Sequence, residues 1–72
     1  MKAYYAICIK DDKLIAQNGD TQEIKRGMEY TVSKPEDGTL TVFSRYWCPF
    51  PADRFAGFLT LERKEIPNGE WP

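Results

Sequence analysis

This sequence predicts an all-β fold: a small barrel of about five to six short antiparallel strands with one short 3₁₀ or helical turn. Three observations predict it. Turn signals recur every ten to twenty residues, at "KDDK" (10–13), "QNGD" (17–20), "KRG" (25–27), "KPEDG" (34–38), "CPFPAD" (48–53) and "PNG" (67–69). The runs between them are short and rich in β-branched and aromatic residues, and most alternate in polarity. Hydrophobic residues fill 42% of the 72 positions and aromatics 14%, a composition that folds rather than stays disordered.

In "AYYAICIK" the odd positions Ala3, Tyr5, Ile7 and Ile9 point one way and Tyr4, Ala6 and Cys8 the other. Both sets are apolar, so this strand is central or has its second face covered. "KLIAQ" follows a tight "DD" turn, which predicts a hairpin over residues 3–17. "MEYTV" sets Met28, Tyr30 and Val32 against Glu29 and Thr31, the pattern of a half-buried strand. After "KPEDG", "TLTVFSRYW" puts Leu40 and Val42 on one face and Thr41 and Phe43 on the other. "PADRFAGF" opens with Pro51 and Asp53, which suit a helix start, and Gly57 ends any turn quickly. The last strand is "GFLTLER", with Leu59 and Leu61 opposite Phe58. Residues 1–66 then form one domain, and the polar tail 67–72 frays unless Trp71 folds back.

A chain this short buries about 60% of its unfolded surface, so a stability on the order of 3–5 kcal/mol is expected. Ten basic and eleven acidic residues are spread evenly, without the charged block of a nucleic-acid arm. Histidine is absent, which removes the commonest general base and metal ligand. Cys8 and Cys48 alone make neither a disulfide scaffold nor a zinc site, and no phosphate-cradling glycine motif occurs. Glu36 and Asp37 are turn formers, and Asp53 beside Arg54 is a local pair. No cofactor or metal is implied, and an enzyme is not expected. No apolar run approaches the roughly 20 residues that span a bilayer. The start "MKAYYAICIKDD" reaches charge too early for a signal peptide, so a cytoplasmic protein with two reduced thiols is expected.

What remains is binding. "RYWCPFPADRF" holds four aromatics, two arginines and two prolines. Its residues and their neighbour Phe43 are of the kinds enriched at interface hot spots, so Trp47, Arg45, Phe43, Phe50 and Arg54 are the candidate partner-binding residues. Alternation divides them. Tyr46 and Cys48 share the face of Leu40 and Val42 and are expected in the core; Phe43, Arg45 and Trp47 form the opposite, solvent-reaching row. A second strip, from Tyr4, Ala6 and Cys8, would continue that row or lie under the C-terminal tail. The expected partner is another protein. Two alternatives stand beside it. One is a single-stranded nucleic acid stacked on Tyr4, Phe43 and Trp47 with Lys2, Arg45 and Arg54. The other is self-assembly, as a homodimer, through "AYYAICIK" as an exposed edge strand.

A glycine, a tyrosine–x–valine strand, an acidic-Gly turn, a strand ending in an aromatic, and a Pro–x–x–x–Phe turn before the last strand follow in order. The positions are Gly27, Tyr30, Val32, Gly38, Trp47, Pro51 and Phe55. Over residues 24–61 the chain resembles the small SH3-like β-barrel domains of phage, prophage and other bacterial small proteins. The resemblance implies that Phe55 plugs the open barrel end. It also implies a phage or prophage accessory protein that modulates a host factor. The N-terminal hairpin is an addition to that pattern.

Overall fold

The computed structural model describes residues 2–44, 47–67, 70 and 71. Among these the strands are β1 (Tyr4–Cys8), β2 (Asp12–Ile15), β3 (Thr21–Ile24), β4 (Glu29–Val32), β5 (Thr39–Phe43), β6 (Trp47–Pro51) and β7 (Phe55–Leu59). A 3₁₀ turn, Ala52–Arg54, joins β6 to β7. Five strands form one antiparallel sheet in the order β6-β5-β4-β1-β7, and β2 pairs with β3 separately. The fold is thus all-β, barrel-like and small, with the single 3₁₀ turn expected at "PADR". Seven strands stand where five to six were expected.

The expected hairpin over residues 3–17 does not form. β1 lies between β4 and β7, while β2 turns back onto β3. The reason is local turn chemistry. Gly19 sits at φ +89°, its N–H donates to the Ala16 carbonyl, and Asn18 Oδ1 accepts the Asp20 N–H at 3.0 Å. That Asx turn closes a tight hairpin. "KDDK" has no residue at positive φ and instead carries the chain off the sheet. β1 is therefore not an edge strand, and the edge-pairing route to self-assembly through it is removed. As a strand bonded on both sides, it takes the central position that its two apolar faces allow.

The inner face of the large sheet is the core. Cys48 lies opposite Val42, Val42 opposite Val32, and Val32 opposite Tyr4, all of them buried. Ala6, Cys8, Leu40 and Phe50 extend this layer, and Ile24 of the small hairpin is inserted into it with Leu14 packed alongside. Phe55 is 4% exposed and meets Tyr30 edge to face at 6.1 Å. Trp71 does fold back, edge-on to Tyr4 at 4.9 Å and to Phe58 at 5.1 Å. The expected core position of Tyr46 lies outside the described residues. Met28 is exposed rather than sharing the buried face of Val32, because β4 begins only at Glu29 and Met28 closes the turn through Gly27. Leu61 is also exposed, in the loop beyond the end of β7.

Two backbone devices set which residues face inward. At "PEDG", Asp37 (φ 52°) and Gly38 (φ 78°) are both left-handed, and Glu36 and Thr39 exchange two hydrogen bonds of 2.8 and 3.0 Å. This is the geometry of a type I′ hairpin turn. Gly57 does not end the 3₁₀ turn, which stops at Arg54; at φ 65° it lies in a bulge of β7. Between the pairs Tyr5↔Leu59 and Ile7↔Ala56, β7 carries one residue more than β1. In a regular strand Phe55 and Leu59, four apart, would share a face. With the extra residue, Phe55 enters the core and Leu59 faces outward.

The free edges of the large sheet differ. The Ala52 N–H donates to the Gly38 carbonyl, so by the two-residue period the N–H groups of Cys48 and Phe50 also face β5. The outward backbone nitrogens of β6 are those of Trp47, Pro49 and Pro51, and two of the three have no hydrogen to donate. On the other edge the chain covers part of β7 itself: Leu59 bridges to Glu65, and Ile66 N–H donates to the Phe58 carbonyl at 3.0 Å. No helix among the described residues is long and apolar enough to cross a membrane.

Candidate functional site

Pairing register brings the outward residues of five strands into a single line. Trp47 lies opposite Phe43, Phe43 opposite Thr31, Thr31 opposite Tyr5, and Tyr5 opposite Leu59. At about 4.8 Å between strands, this row runs roughly 19 Å across the outer face. Four of its five members are aromatic or aliphatic, and Trp47 at one end is 66% exposed. The Trp47 indole meets Phe43 edge to face at 5.2 Å.

The other end of the row carries charge. The Arg63 guanidinium lies 4.7 Å from the centroid of the Tyr5 ring and donates to both carboxylate oxygens of Glu29, at 3.1 and 3.0 Å. The hydrogen bond from Arg63 holds the Glu29 carboxyl below the usual carboxylate range, and the same bond raises the Arg63 guanidinium. Arg63 adopts a left-handed backbone at φ 64°, a conformation that costs a non-glycine residue roughly 1–2 kcal/mol. It does so in a tight loop in which its N–H donates to the Thr60 carbonyl and Thr60 N–H donates to Lys64. The loop thereby turns a cation back over the sheet.

The candidate residues separate in space. Trp47 and Phe43 stand together at the head of the row. Arg45 lies outside the described residues. Phe50 is 3% exposed and packs in the core opposite Leu40, which corrects its assignment to a binding surface. It shares the parity of Cys48, while Trp47 and Pro49 face outward. Arg54 is tied down, by Asp12 at 3.2 Å and Asp53 at 2.7 Å, so it joins the 3₁₀ turn to the small hairpin. Tyr4, Ala6 and Cys8 form part of the core rather than continuing the exposed row, and Trp71 of the C-terminal tail lies on Tyr4. The same burial takes the Tyr4 ring out of a stacking platform with Phe43 and Trp47. Tyr5, Leu59, Glu29 and Arg63 are members of the site that alternation within single strands did not reveal, because cross-strand register is not written in any one strand.

Both cysteines are free and buried. Cys8 Sγ donates to the Lys10 carbonyl at 3.1 Å, and Cys48 lies on β6, three strands away in the sheet order. They behave as small core residues. Among the described residues no group of three or more His, Cys, Asp or Glu side chains is placed to hold a metal. The row contains no nucleophile beside a base; its chemistry is apolar contact, an indole N–H and one guanidinium. No protein-family model, curated protein or solved structure matches this chain.

Proposed function

We propose that the chain is a non-enzymatic protein-binding module that engages its partner through the outer row Trp47–Phe43–Thr31–Tyr5–Leu59, with Arg63 at its end. The observation that carries this reading is the two-thirds exposure of Trp47 at the head of an aligned apolar row. A large aromatic left in water on a rigid sheet, with a cation at the far end of the same row, has the composition of an interface hot spot. The sheet order β6-β5-β4-β1-β7 and the 3₁₀ turn before β7 support an SH3-like barrel. With that resemblance the reading becomes a phage or prophage accessory protein acting on a host protein in the cytoplasm. Two buried free thiols agree with a reducing compartment.

The test is affinity capture with the tagged chain from nuclease-treated bacterial lysate, run in parallel with Trp47→Ala and Phe43→Ala. A protein retained by the parent and lost by both variants, whose circular dichroism and melting match the parent, supports the surface. Equal capture by all three chains refutes it.

A further inference from the structure

A second feature lies away from the outer row. Two residues beyond the pair Tyr4↔Val32, the chain places Lys2 and Lys34 at one end of the sheet. They rim a depression of about 490 Å³ floored by buried Tyr4 and Leu40, with Ser33 and Thr41 on its wall and Glu36 on its lip. A second depression of about 540 Å³ shares Lys2 and Tyr4 with the first. Its wall is more apolar, with Ala3 and the exposed Leu61, and its lysine, Lys64, is paired to Glu62 at 3.5 Å. Lys2 and Lys34 form no ion pair among the described residues, so two free cations face the single carboxylate of Glu36.

Tyr4 points to a ligand independently of these charges. The residue is 96% buried (4% exposed), and its hydroxyl has no hydrogen-bond partner among the described residues. Yet no side-chain oxygen or nitrogen of these residues is both buried and unsatisfied. The hydroxyl therefore touches solvent, and Tyr4 is common to both depressions. A phenol held in a core with its O–H reaching solvent is an oriented donor with no protein acceptor among the described residues.

We propose that these two depressions, which meet at Lys2 and Tyr4 as shared lining residues, together form a binding site for a small anionic amphiphile. Its carboxylate or phosphate is held by Lys2, Lys34 and the Tyr4 hydroxyl, and its apolar body lies along Ala3 and Leu61. The volumes suit a small molecule, and an apolar wall with a few convergent polar groups is the usual make-up of such a site. Charge-assisted hydrogen bonds select the anion. This site is separate from the protein-binding row.

Octanoate is the probe, titrated into ¹⁵N-labelled protein and followed by two-dimensional NMR. Expected are saturating shifts confined to residues around Lys2, Tyr4, Ser33, Lys34 and Leu61. Lys2→Gln with Lys34→Gln should weaken binding about tenfold. Tyr4→Phe, which removes no internal hydrogen bond, should keep the fold and weaken binding by a smaller factor. Trp47→Ala should bind octanoate unchanged. Three outcomes would overturn the proposal: no saturating shifts at these residues, octan-1-ol binding as well as octanoate, or inorganic phosphate alone reproducing the shifts at equal affinity.

Discussion

The two faces of the large sheet use the same strands to opposite ends. On the inner face, Cys48, Val42, Val32 and Tyr4 stand in register and none exceeds 4% exposure. One residue along each strand, Trp47, Phe43, Thr31 and Tyr5 stand in an equally regular line, with Trp47 mostly in water. Both lines are largely apolar. The inner one is explained by the core it fills. No element described in the structure covers Trp47 on the outer one. Hydrophobic content alone therefore does not separate stability from function in so small a barrel; register and burial do.

The largest expected effect comes from breaking the inner face. Phe55→Ala should remove about 3–5 kcal/mol, comparable with the whole stability of a domain this size. Loss of the cooperative thermal transition is the expected readout, and a variant that melts like the parent would show that Phe55 is not a core plug. Next is the device that assigns β7 residues to the two faces. An added Cβ at Gly57 meets nothing within 4 Å, so Gly57→Ala should cost only the backbone penalty of about 1–2 kcal/mol at φ 65°. Chemical denaturation measures it, and a larger loss would mean that the register of β7 had slipped.

Smaller again is the effect of the outer face on stability. Trp47→Ala forfeits an edge-to-face contact and should cost no more than about 1 kcal/mol while abolishing partner capture. Parallel denaturation and capture would separate the two, and a cost matching that of Phe55→Ala would place Trp47 among the core residues. The smallest effect is electrostatic. Glu29 has a depressed carboxyl in the folded protein, so its contribution is present above its ordinary titration range and is lost as pH falls through the lower, folded value. Glu29→Gln should flatten this slight acid-side loss in a series of melts from pH 6 to pH 3, about the range in which carboxylates titrate. An unchanged series would remove the Arg63–Glu29 pair from the energetics of the row.

Much of the barrel was legible in the chain. Turn residues located the loops, alternation placed Leu40, Val42 and Cys48 inside and Phe43 and Trp47 outside, and "PADRF" announced the 3₁₀ turn. What alternation could not supply is how strands meet. "KLIAQ" sits next to β1 in sequence, yet the Asn18–Gly19 turn committed it to a different neighbour. The misplacement of Phe50 arose from reading aromatic density over parity, since two residues from Cys48 it had to face the core. Arg63 was invisible as a site residue because its place over Tyr5 depends on a left-handed backbone in a loop with no glycine at that position. Two of the row's five members, Tyr5 and Leu59, become apparent only when β1 is known to be central.

The prolines of β6 have a consequence for how this molecule behaves in a crowd. Stacking of chains by strand addition is a polymerisation, and each growing end must offer donors as well as acceptors in alternation. At the β6 edge Pro49 and Pro51 offer carbonyls alone, so an incoming strand would leave one of its own carbonyls dry at each of these prolines. Chemically the strand is a chain terminator. The opposite edge is partly occupied by the protein's own Glu65 and Ile66. A molecule capped at one end and self-occupied at the other can leave a sticky aromatic row open to water and still resist adding copies of itself strand upon strand.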